Sequence, residues 1–175
     1  MLKLAALAAL AASTASPPTL NASAPWWEKV TVTIAANGNP QACEYVTSHA
    51  GGKATECDVV GADSATVAAA ASDTPGQQTK ITFERRFIPG QSQPTQADVG
   101  PGESLLGGQV MALAIDEGGS VKGCKVVAKA GSVTPDYGCN EVAAEKFQAS
   151  AGEGSVPAAQ GYMTILVYGH AENVA

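Results

Sequence analysis

The stretch Val30-Thr31-Val32-Thr33-Ile34-Ala35-Ala36-Asn37-Gly38 has the pattern of a strand followed by a turn. Its apolar residues alternate with threonines, which is the period-2 pattern of a half-buried strand, and Asn-Gly is the strongest short signal of a β-hairpin. A shift of 81 positions carries this stretch onto Met111-Ala112-Leu113-Ala114-Ile115-Asp116-Glu117-Gly118-Gly119. The sequence therefore predicts that the chain contains an internal repeat.

The four cysteines fall in register with this repeat. The shift of 81 carries Cys43 onto Cys124, and one inserted residue raises the shift to 82, which carries Cys57 onto Cys139. If the two halves of the chain were similar only in being rich in Ala and Gly, a single shift with one inserted residue would not bring all four cysteines into register. Because exported compartments favour disulfides, the symmetry favours the bonds Cys43–Cys57 and Cys124–Cys139 over the other two ways of pairing four cysteines.

Each repeat is predicted to contain a hairpin, a helix and a closing strand. In repeat one the closing strand covers residues 80–88 and follows an Ala-rich helix at 56–72. In repeat two the closing strand covers residues 162–168 and follows a helix at 137–149, and the shift of 82 places Thr82 on Thr164. We therefore expect an α+β fold, built from two strand-strand-helix-strand repeats with antiparallel sheets.

The chain begins with the pattern of an export signal. One lysine precedes an apolar run at residues 4–12, and small residues follow it, as in a secretory signal peptide. The run is too short to span a membrane, which takes about 20 residues. The expected division of the chain is a signal peptide at 1–15, a leader at 16–27, repeat one at 28–88, a linker rich in Pro and Gly at 89–107, and repeat two at 108–171. We therefore expect a periplasmic or secreted protein whose mature chain has no membrane span.

The composition narrows the class of partner. The 175 residues include 10 Lys and Arg against 16 Asp and Glu, and the formal net charge is −6. An acidic chain without basic clusters is a poor binder of the nucleic-acid backbone. We therefore expect a protein partner and no nucleic acid.

The ordered motifs of repeat two resemble the C-terminal domain of the TonB energy transducers. The strand and turn Ala114-Ile115-Asp116-Glu117-Gly118-Gly119-Ser120-Val121 precede a second strand, an Ala130-Gly131 loop, and a helix that ends in Lys146-Phe147-Gln148-Ala149. The segment from Val156-Pro157 onward is similar to the closing segment of that family. The resemblance covers residues 107–171, and repeat one is a more degenerate copy.

This resemblance implies a binding mode for the closing strand. In the TonB family that strand lies near the sheet edge and accepts an extended peptide of an outer-membrane receptor by strand addition. The matching residues are Met163, Thr164, Ile165, Leu166, Val167 and Tyr168. Because this chain has a signal peptide where the family has a membrane anchor, the expectation covers the fold and the binding mode and not energy transduction. The function expected is that of a non-catalytic periplasmic protein-binding module, with a TonB-dependent receptor as a partner.

Two other functions remain open at the level of sequence. A structural or regulatory envelope protein would have the two repeats packed on each other, with their strand edges hidden. A hydrolase would use His170 and a nearby acid, but no nucleophile-and-base motif accompanies that histidine. A zinc site of His49 with Cys43 and Cys57 matches no standard spacing, and we expect no metal and no cofactor.

Two pairs of adjacent residues also stand out in the sequence. Arg85-Arg86 on the closing strand of repeat one is interpreted as a charge pair that protects a sheet edge. Trp26-Trp27 is expected to pack over the core, with a partner-facing aromatic patch as the alternative.

Overall fold

The computed structural model of the chain describes residues 19–57, 76–95, 99–148 and 159–173. The expected signal peptide lies outside these residues. The first predicted helix also lies outside them, except for its first two positions, Glu56 and Cys57, and Glu56 ends a strand.

Seven strands and one short helix make up the described part of the chain. The strands are β1 (Trp26–Ile34), β2 (Pro40–Thr47), β3 (Thr55–Glu56), β4 (Gln77–Pro89), β5 (Ser104–Ile115), β6 (Val121–Gly131) and β7 (Ala159–Asn173), the α-helix is α1 (Cys139–Ala144), and a 3-10 turn covers Ser48–Ala50. The expected α+β class is therefore wrong, because the described chain is nearly all strand. In repeat two the predicted helix of 137–149 shrinks to the six residues of α1, which is followed by extended backbone at Glu145.

The strands form one antiparallel sheet in the order β3-β2-β1-β4-β7-β5-β6. Each half of the chain supplies a hairpin and a closing strand, and the two closing strands, β4 and β7, lie side by side at the centre. They pair along the whole of β4, from Gln77 opposite Asn173 to Pro89 opposite Gly161. Two halves that each resemble a separate unit thus share a single sheet.

The register of the strands shows how closely the halves match. Val32 lies opposite Cys43 in the first hairpin, and Leu113 lies opposite Cys124 in the second, which is the predicted shift of 81. The closing strands differ from the prediction. Val30 of β1 lies opposite Phe83, while its counterpart Met111 lies opposite Met163, so the closing strands correspond at a shift of 80 (163 − 83) instead of 82. A slip of two residues is one full pleat, and it keeps every side chain on its original face.

One face of the sheet carries the hydrophobic core, and we call it the core face. Its main cluster contains Trp26, Phe87, Met111 and Ile165, all of which are buried, and residues 137–147 pack over them. A second cluster on the same face contains Val32, Ile81 and Phe83. We call the opposite face the linker face, because residues 90–95 cross it and Tyr162 donates a hydrogen bond to the carbonyl of Gln91.

A glycine at the β5–β6 turn holds the covering segment in place. Gly119 has a φ of 78°, and a β-carbon there would clash with the carbonyl of Phe147. The Phe147 amide donates to the Gly119 carbonyl at 2.8 Å, and Lys146 forms an isolated bridge with Ser120. The close approach therefore needs both the positive φ and the missing side chain.

Candidate functional site

The strand expected to receive a partner lies in the middle of the sheet. The segment Met163–Tyr168 belongs to β7, which pairs with β4 on one side and with β5 on the other. Ile165, for example, lies opposite Arg85 and also opposite Gln109. Because a strand can add only where backbone groups are unpaired, this segment cannot receive a peptide in the folded protein, and that assignment of the site is corrected.

The outer strands of the sheet are β3 and β6. Strand β3 has 2 residues, whereas β6 has 11 and, among the described residues, pairs with β5 and no other strand. Exposed and half-buried side chains alternate along β6, and Val127 is one of the exposed large hydrophobic residues. The long outer edge of β6, which we call the β6 edge, is therefore where an added strand can pair.

Three lysines and two bulges mark the β6 edge. Lys122, Lys125 and Lys129 are exposed, and Lys122 lies 3.3 Å from Asp116. The register of β6 against β5 shifts twice, leaving Lys122 and Val127 as extra residues. Lysines and bulges keep an edge strand from pairing with another copy of the same edge. In the sequence, the signal that indicates this edge is the set of three lysines on the second strand of repeat two, around Cys124.

Both expected disulfides are present. Cys43–Cys57 joins β2 to the residue after β3, with the Cα atoms 5.1 Å apart, and Cys124–Cys139 joins β6 to the first residue of α1, at 5.5 Å. Each bond ties the outer strand of its hairpin to the segment that follows. A closed loop of about 15 residues corresponds to about 3 kcal/mol of stabilisation in the chain-entropy model.

A buried charge network centres on Arg85. Its guanidinium bonds Glu28 of β1, and its Nη1 donates to the Tyr137 hydroxyl at 2.7 Å and to Glu145 Oε1 at 2.6 Å. The Tyr45 hydroxyl donates to the other oxygen of Glu28 at 2.9 Å. The side chains of Arg85 and Glu28 are each 11% exposed. Because β4 is a central strand, the interpretation of Arg85 as an edge-protecting charge is wrong.

This network joins the two halves of the chain. Glu28, Tyr45 and Arg85 belong to the first half, and Tyr137 and Glu145 flank α1 in the second. Desolvation, together with the carboxylate of Glu28, raises the pKa of Tyr45 to about 12, and desolvation also raises the pKa of Tyr137. Both phenols therefore stay protonated as donors across the physiological range. The arrangement holds α1 and its flanks onto the sheet.

A second cluster lies on the linker face around His170. The ring places Nδ1 2.8 Å from Glu103 Oε1 and Nε2 2.8 Å from Glu172 Oε1, and Glu172 also bonds Lys80. The hydrogen bond to Glu172, and to a lesser degree the charge of Glu103, raise the pKa of His170, while the bonds from His170 and Lys80 lower that of Glu172 to about 2. The cluster ties the residue before β5 to the end of β7. The nearby acid expected for a hydrolase is present, but no hydroxyl or thiol among the described residues hydrogen-bonds the ring.

The His170 cluster predicts a pH-dependent stability. Because the folded pKa of His170 is raised, its contribution is complete below the unfolded value of about 6.5 and is lost as the pH rises through the folded pKa. We expect His170→Gln to lower the urea midpoint at pH 5.5 and to lower it less at pH 8.5. The control is His49→Gln, since the His49 ring packs on Trp26 at 5.7 Å and contacts no carboxylate among the described residues. An equal loss for His170→Gln at both pH values would contradict the ion pair.

The two tryptophans point to opposite faces. Trp26 is 3% exposed and stacks on Phe87 with the ring centroids 5.9 Å apart, as expected for a core residue. Trp27 is half-buried on the linker face, where the Lys29 ammonium lies 5.2 Å from its ring.

In the described ranges no group of three or more His, Cys, Asp or Glu is placed to hold a metal ion, and no helix there is long and apolar enough to cross a membrane.

Two cavities lie on the linker face of the second half. One of about 400 Å³ is lined by small residues of β5 and β6, including Ala112, and by Lys125 and Tyr162. The other, of about 340 Å³, lies between the linker residues Gln93–Thr95 and the sheet. Both have the size of small-molecule sites.

Comparison with known proteins gives no relative. No protein family, no curated protein and no solved structure matches the chain.

Proposed function

We propose that this chain is a non-catalytic protein-binding module of the cell envelope, similar to the C-terminal domain of TonB transducers, and that it receives an extended segment of its partner along the β6 edge. The observation that carries the proposal is that β6, with 11 residues, pairs on one side only among the described residues. The closing strand β7, where the family resemblance had placed the partner, is paired on both sides.

Strand addition at the β6 edge uses main-chain and side-chain groups for different purposes. The unpaired N–H and C=O groups of β6 supply hydrogen bonds to any extended backbone, whereas alternate side chains select the sequence. Between the bulges at Lys122 and Val127 the ladder is regular from Gly123 to Val126. The added strand therefore forms its backbone hydrogen bonds with this short stretch, and the side chains around it select the sequence of the partner.

The charges of the β6 edge favour an acidic partner segment. The exposed Lys125 and Lys129 are in no ion pair with another described residue, so they are available to carboxylates. A protein with a formal net charge of −6 repels acidic peptides at long range, and the lysines attract them locally. An outer-membrane transport receptor that presents an extended acidic segment on its periplasmic side is the partner of this kind that we propose.

An exported location supports the proposal. Two disulfides join the described cysteines, and stable disulfides are typical of oxidising compartments such as the periplasm and the extracellular space. The export signal expected at residues 1–15 agrees with that location. We therefore place the protein in the periplasm or outside the cell.

A second candidate function is a structural or regulatory envelope protein. Two observations favour this function. Strand β4 pairs with β7 along its whole length, so the backbone groups on those edges of the two closing strands are already bonded within the chain. The Arg85 network also joins Glu28 of the first half to Glu145 of the second. In that case the sheet is a rigid spacer, and the β6 edge is protected by its lysines and never paired.

Photo-crosslinking distinguishes the two functions. A photoreactive amino acid at Val127 on β6 is compared with one at Ile88 on β4, because these residues are equally exposed, at 36% and 37%. We expect an adduct with an outer-membrane receptor from Val127 and none from Ile88, and we expect an acidic peptide of the crosslinked segment to compete. Adducts from both positions, or none to a receptor, would contradict the strand-addition proposal.

A further inference from the structure

We propose that the partner segment carries an aromatic residue opposite Gly123 of β6 and an acidic residue opposite Lys125, and that the aromatic ring fills the cavity of about 400 Å³ on the linker face. This inference rests on the proposed strand addition at the β6 edge and specifies what that edge selects. All the described strands pair antiparallel, and the added strand continues that pattern. The order along the partner is therefore acidic, any residue, aromatic.

The cavity lies beside the β6 edge. The register places Ala112 opposite both Tyr162 of β7 and Lys125 of β6, and it places Ala114 opposite Gly123. Residues directly opposite each other share a face of the sheet, so all five belong to the linker face. The two alanines and the glycine form the floor of the cavity, with Tyr162 at its inner side and Lys125 at its outer side, next to the position of an added strand.

Neither the backbone nor the packing of the described residues requires a glycine at position 123. Its φ is not positive, and a β-carbon there would lie 3.5 Å from the β-carbon of Ala114, which is an ordinary contact. Gly131, at the other end of β6, differs in both respects, since its φ is 73° and a β-carbon would clash with the carbonyl of Leu106. A glycine inside a strand weakens the strand and often marks a place where a ligand or another chain approaches closely. Gly123 therefore leaves room for a side chain from outside.

The first half of the chain has larger side chains at the equivalent positions. The shift of 81 that relates the two hairpins puts Thr31 and Thr33 at the places of the two alanines of the cavity floor. The hydroxyl of Thr31 bonds that of Thr82 on β4 at 3.0 Å, and the outer edge of that hairpin pairs with β3. The cavity beside an open edge is therefore a property of the second half and does not follow from the repeat.

The walls of the cavity favour an aromatic ring. The Tyr162 hydroxyl donates to the carbonyl of Gln91 at 3.1 Å, which holds the tyrosine ring in place as the inner wall. Aromatic rings pack favourably on one another, and an ammonium group is attracted to the face of a ring. An aromatic residue opposite a glycine in a sheet covers the glycine and packs on its neighbours. The ring of the partner would thus lie over Gly123 and Ala114, with Lys125 at its side.

The same lysine selects the acidic residue. Lys125 is exposed and is in no ion pair with a described residue, and no aspartate or glutamate lines the cavity. Opposite charges that face each other across two strands attract, and the partner residue opposite Lys125 lies two positions from the one opposite Gly123. The two requirements therefore have a fixed spacing.

Peptide binding tests the proposed pattern. The probe is the peptide Thr-Thr-Thr-Glu-Thr-Trp-Thr-Thr-Thr, and the two controls replace its tryptophan by alanine or exchange its glutamate and tryptophan. In NMR titrations of the full protein, we expect all three peptides to shift the amides of Gly123–Val126. We expect the probe to bind about tenfold more tightly than either control, as the burial of one aromatic ring allows.

The outcomes separate this inference from the proposed function. Equal affinity of the three peptides for the stretch Gly123–Val126 would overturn the aromatic site and leave strand addition standing. If no peptide shifts these amides, both proposals are overturned. Shifts of the same amides with protein concentration alone would assign the edge to a second copy of the chain and would also contradict both.

The two glycines of β6 supply a matched pair for the stability test. We expect Gly123→Ala to raise the midpoint of urea unfolding slightly, because a glycine inside a strand is unfavourable, and Gly131→Ala to lower it. A lower midpoint for Gly123→Ala would show that the fold itself needs the glycine, and it would overturn the proposal.

A larger side chain at the same position tests the cavity itself. We expect Gly123→Val to abolish the tenfold preference for the tryptophan peptide over the alanine peptide. Ala128→Val, on the same face of the same strand but outside this cavity, is expected to keep that preference. An unchanged preference in Gly123→Val, in a variant whose NMR spectrum shows that it is folded, would overturn the assignment of the site.

Discussion

Replacement of Arg85 by methionine is expected to lower the free energy of unfolding by about 3–5 kcal/mol, the range for breaking a buried ion pair on one side. The guanidinium lies between the carboxylates of Glu28 and Glu145, and its removal would leave the buried Glu28 and the half-buried Glu145 without this cation. Burial of an unpaired charge is costly, so most of the loss comes from the two acids left behind. Urea unfolding followed by circular dichroism measures the change.

The neighbouring arginine supplies the control for this prediction. Arg86 is 37% exposed and bonds Glu84, which also accepts from the Tyr168 hydroxyl and lies 3.4 Å from the Lys29 ammonium. Because Glu84 keeps these two partners, we expect Arg86→Met to cost less than Arg85→Met. A double variant, Arg85→Met with Glu28→Gln, should recover part of the loss. Equal costs for the two arginines would contradict the central place of Arg85 in the network.

Replacement of Phe87 by alanine is expected to lower the free energy of unfolding by about 3–5 kcal/mol, as for other fully buried phenylalanines. The ring is 0% exposed and contacts Phe147, with the centroids 5.2 Å apart, and Trp26. It also occupies the space above Gly161, where a β-carbon would lie 2.6 Å from a ring carbon. The variant leaves a cavity where β1, β4, β7 and the covering segment meet.

Ile88 is the matched control for Phe87. It follows Phe87 on β4, points to the other face and is 37% exposed. We expect Ile88→Ala to change the urea midpoint only slightly, because little apolar surface is lost from the interior. A large loss from Ile88→Ala, comparable to that from Phe87→Ala, would mean that the linker face is covered where the structure leaves it open.

The sequence predicted local features better than their assembly. The alternation at Val30, Val32 and Ile34 and the turn at Asn37-Gly38 correspond to β1 and its hairpin, and the pairing of the cysteines follows from their register. These features depend on neighbours close in the chain, so they can be read from a single sequence.

The position of the closing strands could not be predicted in the same way. An apolar strand such as residues 163–168 has the same pattern at an edge and at the centre of a sheet, because periodicity reports which side chains are buried and not which backbone groups are paired. The pairing of β4 with β7 joins residues that are 72 to 96 positions apart in the chain, and no local signal marks it. For the same reason Arg85 was interpreted as an edge residue, although it lies at the core of the network.

The short helix has a different explanation. Residues 137–149 carry apolar positions at helical spacing, but the chain leaves the helix at Glu145, whose ψ of 154° is extended. Lys146 and Phe147 then bridge to Ser120 and Leu20, so contacts with the β5–β6 turn and with the leader replace the last helical turns. Tertiary pairing has overridden local propensity there.

Native-state hydrogen exchange, resolved to single amides, tests most directly whether the two halves share one sheet with β6, and not β7, as its long free edge. Strands paired on both sides exchange only through large-scale opening, whereas an outer strand exposes every second amide to water. We predict that the amides from Met163 to Tyr168 are among the slowest in the protein and that alternate amides of β6 exchange much faster. Fast exchange from Met163 to Tyr168, with uniform protection along β6, would contradict both the shared sheet and the proposed binding edge.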